Sequence, residues 1–157
     1  MQQLLNTLPQ QGELVWIGAR TARNEAMLEL NQADVKVGEG LVQDRFSGNA
    51  ESKRQITLIQ QEHLMAMASL LHRDSIAASD LRRNLVVSGI NLLALKGQTF
   101  CINAVVLQTT GLCHPCTKME RLLGPGGYNA MRGHGGITAK VLTSGVIKLG
   151  DTVKLID

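Results

Sequence analysis

Two cysteines three residues apart, in Gly111-Leu112-Cys113-His114-Pro115-Cys116, are the residues of this chain best suited to chemistry. Such a pair allows three kinds of work. A structural zinc site needs about four ligands, usually two such pairs. Here one pair stands with Cys101, His63, His72 and His134 scattered along the chain. A thioredoxin-like dithiol needs the motif between a strand and a long helix in a βαβ setting, and the segment after Cys116 spells a short helix. A single working thiolate acts as a nucleophile or a soft metal ligand, with the other cysteine incidental. Cys116 is the better placed for that work. It directly precedes the helical segment 117–123 and stands two residues from Lys118, and a following helix and a nearby cation both lower a thiol pKa. Against all three stands the ordinary buried cysteine, common in cores. A cysteine after a proline, in a polar glycine-bounded turn, fits core filling less well.

Three further segments have the composition of ligand contacts. Ser52-Lys53-Arg54-Gln55 precedes a strand, and Leu81-Arg82-Arg83-Asn84-Leu85 leads into another. The planar fork of arginine suits phosphate and heteroaromatic ring edges, and Asn84 offers both a donor and an acceptor. The bland alternative is two solvated basic patches. Tyr128-Asn129-Ala130-Met131-Arg132-Gly133-His134-Gly135-Gly136 is glycine-rich, which lets backbone approach a ligand closely or simply makes a surface turn.

The elements that must position these residues are mostly short strands. Residues 12–19 read as a first strand, and the polar residues 20–25 as a loop able to face a ligand. Residues 35–42 are strand-like, with Gly38 and Gly40 marking a bulge or turn, and 44–53 form a polar loop. After a β-rich run at 56–59, Leu64, Met65, Met67, Ala68 and Leu71 recur at helical spacing over 60–71. A helical turn at 80–87 runs into a strand, and 100–109 is β-rich. The helix at 117–123 turns Met119, Leu122 and Leu123 inward and stops at Gly124-Pro125-Gly126-Gly127. Strands at 137–143 and 146–156 are joined at Ser144-Gly145, a hairpin signal. Many short strands with few helices predict a mainly β, barrel-like domain with helices at its mouth.

Composition bounds the function. The 157 residues are 44% apolar, 18% charged and 3% aromatic, with net charge +3. That length suits one globular domain, 1–157, with a core over about 14–153. Few aromatics leave few stacking platforms for bases, and the charge is too mild for a dedicated DNA binder, so no nucleic-acid partner is expected. No apolar run approaches the roughly 18 residues of a membrane helix, and the first dozen residues do not read as a secretory signal. A cytoplasmic protein without a membrane partner is expected, and an odd, low cysteine count agrees.

Taken in order, the segments resemble the MOSC domain, the molybdenum-cofactor sulfurase C-terminal domain, in its stand-alone bacterial form. The resemblance runs through Gly40-Leu41-Val42-Gln43-Asp44-Arg45-Phe46, Lys53-Arg54-Gln55-Ile56-Thr57-Leu58-Ile59, and Leu81-Arg82-Arg83-Asn84-Leu85-Val86-Val87-Ser88-Gly89-Ile90. It continues in Cys113-His114-Pro115-Cys116, Met131-Arg132-Gly133-His134-Gly135-Gly136, and Gly145-Val146-Ile147-Lys148-Leu149-Gly150-Asp151-Thr152-Val153. Gln43 stands where the family commonly has glycine.

The resemblance implies a β-barrel-like fold with a few short helices and one family cysteine in a pocket, here Cys116. In cofactor-binding relatives that cysteine is the molybdenum ligand. Lys53, Arg54, Arg82 and Arg83 are then the contacts to the phosphate and pterin of molybdopterin. Asn84 reads a pterin edge, and the Arg132 loop closes the pocket. The implied activity is reduction of N-hydroxylated compounds, such as hydroxylated bases. Electrons would come from a separate reductase, since the chain carries no flavin or iron–sulfur motif. A sulfur-carrier role is implied by other relatives, with a persulfide on Cys116 received from a sulfur donor protein. A non-catalytic module for an anionic ligand is the third reading. Pyridoxal phosphate binding comes by family association alone, because the aminotransferase-like domain of the long sulfurases has no room in this chain.

Overall fold

The structure, a computed structural model, describes every residue except Arg23, Asn24, Ser47 and Asp157. The chain opens with α1 (Gln2–Leu5) and runs through β1 (Gly12–Ala19), β2 (Leu28–Leu30), β3 (Gln32–Lys36) and β4 (Gly40–Leu41). Then come β5 (Ile56–Gln60), α2 (Gln61–Leu70), β6 (Leu85–Ser88), β7 (Thr99–Ile102) and β8 (Val105–Leu112). The last part holds α3 (Thr117–Leu123), α4 (Gly127–Met131), β9 (Ile137–Thr143), β10 (Gly145–Lys148) and β11 (Thr152–Leu155). Single 3-10 turns at Ala78–Leu81 and Leu92–Leu95 complete it.

Seven strands close into a barrel in the order β11-β7-β8-β9-β5-β6-β1, with β1 pairing back onto β11 and β2 added outside β1. Closure removes the unpaired edges that an open sheet would expose. A small second sheet, β10-β3-β4, lies beside it. The mainly β, barrel-like expectation is met. Among the described residues no helix is long and apolar enough to cross a membrane.

Two cores explain which strand residues point where. Ile56 and Leu58 of β5 join Leu14, Leu85, Phe100 and Val153 in the barrel interior. Ile59, on the opposite face of β5, packs outside the barrel against Leu64 and Met67 of α2 and Met119 and Leu123 of α3. Strand β5 is therefore buried at all five positions, because one face meets the interior and the other meets helices. It pairs in parallel with β6, with α2 in the crossover.

Several expectations are corrected. Residues 35–42 form the β3–β4 hairpin, pairing Val35 with Leu41 and Lys36 with Gly40, in place of one strand. Residues 100–109 are likewise a hairpin, β7–β8, turned by Asn103 at φ 52°, a conformation asparagine tolerates. Ser144-Gly145 makes no hairpin. Strand β9 stays in the barrel against β5 and β8, whereas β10 crosses to β3. Ser144 Oγ accepts the Val37 amide at 2.9 Å, and Ile147 is buried in the barrel-side core, so the crossing is fixed by contacts distant in sequence. The stretch 146–156 is two strands, split at a turn in which Lys148 N donates to Asp151 Oδ2 at 2.8 Å. Met65 is 66% exposed and Leu122 48% exposed, not inward. Each lies at the margin of its helix's apolar stripe, where spacing alone does not decide burial.

Candidate functional site

Strand β8 delivers the cysteine segment to one end of the barrel. Cys113 directly follows the strand, its N–H still donating to Gly136 O at 2.8 Å. Pro115 then removes a donor and fixes φ, the chain leaves the sheet, and Cys116 caps α3, its carbonyl accepting the Met119 N–H at 2.9 Å. The two cysteines therefore face different surroundings. Cys113 is buried and Cys116 exposed, and all three cysteines of the chain are free. Arg54 Nη1 lies 3.3 Å from Cys113 Sγ. Among the described residues, no three His, Cys, Asp or Glu side chains come together as a metal site. The strand after α3 and α4 returns antiparallel to β8, so the cysteines stand outside any βαβ unit. Among the described residues the one such crossover, β5-α2-β6, lies elsewhere.

Cys116 opens onto a cleft of about 960 Å³. Arg54, Arg82 and Arg83, expected as ligand contacts, line it with Cys116. Four further cations complete the wall: Arg20 at the end of β1, Arg45 in the loop after β4, and Lys118 and Arg121 on α3. Among the described residues lining the cleft there is no acidic side chain. Lys118 and Arg121 are three apart on a helix and share a face, a signal readable in the sequence. Arg20 and Arg45 become neighbours only through the fold. Of the polar loop 20–25, Arg20 faces the cleft, while Arg23 and Asn24 lie outside the described residues, as does Ser47 of the loop 44–53.

Arg83 is the most constrained of these cations. It is 4% exposed. Its Nε donates to Gly135 O and its Nη1 to Leu81 O, each at 3.0 Å. Burial pulls its pKa down, the nearby Cys113 thiol opposes that, and Arg54 adds repulsion. The guanidinium remains charged. Among the described residues the one ion pair is Arg20–Asp44, at 3.4 Å. Asp44 is buried and also accepts the Arg20 backbone N–H at 2.7 Å, which fixes the loop bearing Arg45. Arg83 thus sits buried without a carboxylate, a costly arrangement that an anion in the cleft would relieve. Arg82 holds φ at 57° and donates from Nη1 to Glu25 O at 2.9 Å. This left-handed residue turns the chain from the 3-10 turn into β6.

Three expected contacts are placed elsewhere. Asn84 is 1% exposed and stitches the barrel. Its Oδ1 accepts the Thr57 N–H at 3.0 Å and the Thr57 hydroxyl at 3.2 Å, and its Nδ2 donates to Gly18 O at 3.2 Å. Lys53 is exposed outside the cleft, its carbonyl accepting the Thr110 hydroxyl. Arg132 is exposed and reaches Asn129 Oδ1 at 3.5 Å. Of the glycines after it, Gly135 and Gly136 allow close backbone packing. A Cβ at Gly135 would collide with Cys113 O, and one at Gly136, where φ is 89°, with Leu58 O.

The α3–α4 turn is held by Glu120, whose carboxylate accepts the Gly126 N–H at 3.0 Å and the Tyr128 N–H at 2.9 Å. Those two donors, Tyr128 first, hold its pKa below the ordinary glutamate value. A depressed pKa gives stability present above the unfolded pKa and lost as pH falls through the folded one. Hydrogen exchange at the Tyr128 amide should therefore stay protected at about pH 4.3, where a free glutamate is half protonated. Protection should fall at lower pH, and Glu120→Gln should remove that pH dependence.

Comparison with known proteins agrees with this architecture. The sequence model of the MOSC domain matches residues 32–154. No curated protein matches the chain in sequence. Among solved structures, the YuaD protein from Bacillus subtilis superposes with a TM-score of 0.77 at 18% identity, covering 94% of this chain and 97% of that one. YiiM from Geobacillus stearothermophilus gives 0.72 at 17%, covering 93% and 75%. YiiM from Escherichia coli gives 0.70 at 15%, covering 92% and 70%. At these identities the structures speak for the fold, and the matched domain spans most of the chain: this protein belongs to the MOSC domain family.

Proposed function

We propose that this protein binds molybdenum cofactor in the cationic cleft, with Cys116 as the thiolate ligand, and reduces N-hydroxylated compounds. The observation that carries the reading is an exposed cysteine in the wall of a cleft of about 960 Å³ with six arginines and one lysine around it. Molybdopterin brings a terminal phosphate, a hydrogen-bonding heterocycle and a metal that takes soft sulfur ligands. The donor set fits each part. Arginine forks suit phosphate, and a thiolate suits a soft metal centre.

When bound, the cofactor supplies two-electron redox chemistry at the metal. The chain's own residues bind and orient. Arg83, pinned to two carbonyls, offers its charge from a fixed position. Arg54, with one nitrogen on Cys113 Sγ, fixes the cleft's inner wall. Arg45, Lys118 and Arg121 are exposed and draw an anion in from solvent. A separate reductase supplies electrons.

The test is anaerobic purification from a cofactor-competent host, followed by metal and pterin analysis. The expected result is molybdenum and pterin in near-equal amounts. Absence of both overturns the reading. A sulfur adduct on Cys116 in their place, seen by mass spectrometry, assigns the cleft to sulfur transfer instead.

A further inference from the structure

A second cavity, of about 240 Å³, lies on the other side of the cleft wall. Two contacts make the partition. Arg54, in the cleft, touches Cys113 Sγ, which lines the small cavity. Arg83, in the cleft, donates to the carbonyl of Gly135, which also lines it. The two spaces are back to back, one layer of side chains apart.

Their chemistry is opposite. Among the described residues lining the small cavity there is no lysine, arginine, aspartate or glutamate. Leu92, Leu93, Leu112 and Ile137 give it apolar faces. An ion placed there would lose its hydration with no partner in return. The cavity is not wholly apolar: Gln60, His63 and His114 line it, and Gln60 Oε1 already accepts the Leu92 N–H at 3.0 Å. Burial, and then the neighbouring His134, pull the His63 pKa down against the opposing effect of Glu62, so the ring is neutral at pH 7. A neutral imidazole presents one donor and one acceptor. The His134 ring holds it edge-on, centroids 4.9 Å apart at 69°, and is itself tied at Nδ1 to Ala130 O at 3.0 Å. A flat ligand with a donor–acceptor edge satisfies both the apolar faces and the imidazole.

We propose that this cavity binds an uncharged heterocycle of one or two rings, as a ligand site separate from the Cys116 cleft. This binding does not depend on the reading of the cleft given above. His63 is then a positioning and specificity residue, selecting a ring with a hydrogen-bonding edge.

The test uses the whole chain without cofactor and the uncharged base N6-hydroxyadenine as probe, followed by calorimetry and saturation-transfer NMR at neutral pH. Leu93→Arg alters a residue that is 54% exposed, so the fold tolerates it, and it brings a charge to the cavity. It should weaken binding by about tenfold or more. His63→Phe keeps a ring but removes both hydrogen-bonding atoms and should also cost about tenfold. Arg121→Ala, in the cleft, should change nothing. Absence of saturable binding at millimolar base overturns the inference. So does binding lost in Arg121→Ala and kept in Leu93→Arg, which would put the base in the cleft. The two readings fail separately. No molybdenum, with cavity-dependent base binding, sinks the cofactor reading and supports the cavity. Retained molybdenum, with base binding indifferent to Leu93→Arg and His63→Phe, sinks the cavity alone.

Discussion

Cys116→Ser should abolish retention of molybdenum and pterin while leaving the fold intact. Cys116 is exposed, and its part in the fold is a backbone one, the carbonyl that starts α3. Serine preserves that carbonyl, so melting should shift by no more than about 0.5 kcal/mol, the usual range for surface changes. A serine hydroxyl is a hard, protonated group that does not replace a soft thiolate. Metal content should fall to background, and the reduction of N-hydroxylated compounds with it. Cys113→Ser should show the reverse pattern. Cys113 is 3% exposed and holds Arg54 through its sulfur. Its replacement by a more polar atom should cost about 1 kcal/mol and leave cofactor in place. Metal retained by Cys116→Ser and lost from Cys113→Ser would overturn this assignment and move the chemistry to Cys113. Metal analysis beside a thermal melt of each variant decides the matter.

Asn84→Ala should be among the most damaging single changes in the chain, through stability and not through ligand contact. The substitution leaves the Thr57 N–H and the Gly18 carbonyl without side-chain partners in the barrel wall. Each buried group so stranded costs about 1–3 kcal/mol, so a total near 3 kcal/mol is expected. In a domain of this size that is a fall in Tm of roughly 6–12 °C. Affinity of the folded fraction for pyrophosphate, a simple anionic probe of the cleft, should not change. Arg82→Gly provides the contrast. Glycine accepts the left-handed φ of 57° without strain, so stability should hold while pyrophosphate affinity falls several-fold. If Asn84→Ala melts like the wild type and loses pyrophosphate, Asn84 is a ligand contact after all.

Asn84 also shows where sequence reading reaches its limit. In Arg82-Arg83-Asn84 the three side chains have similar vocabularies: all donate, and all suit a polar ligand. Their fates diverge because the left-handed Arg82 ends a 3-10 turn and Asn84 directly precedes β6 at Leu85. Arg82 and Arg83 stay on the cleft side, whereas Asn84 enters the wall between β5 and β1. The same limit separates Arg54 from Lys53. Adjacent residues entering a strand point to opposite sides, and only the arginine reaches Cys113.

The local signals that succeeded were those whose cause is local. The apolar run of β1, the helical spacing of α2 and the proline-led start of α3 are dictated by period and backbone chemistry within a few residues. Signals that failed depended on distant partners. Ser144-Gly145 has hairpin composition, but β9 and β10 find separate sheets because Val37 and the core claim them. Gly135 and Gly136 line the small cavity, but what requires glycine there is equally distant in sequence, the close approach of Cys113 O and Leu58 O.

The cysteine segment joins both lessons. Periodicity and residue chemistry along the chain were enough to indicate a barrel and the candidacy of Cys116, and the resemblance of the ordered motifs supplied the family. Tertiary structure alone decided that Cys113 turns inward and Cys116 outward. It also brought Arg20, Arg45 and α3 to the same cleft as Arg54 and Arg83, and placed a neutral cavity directly behind it. Those outcomes depend on barrel closure, which brings residues far apart in sequence to one end of the molecule, and no local pattern encodes that convergence.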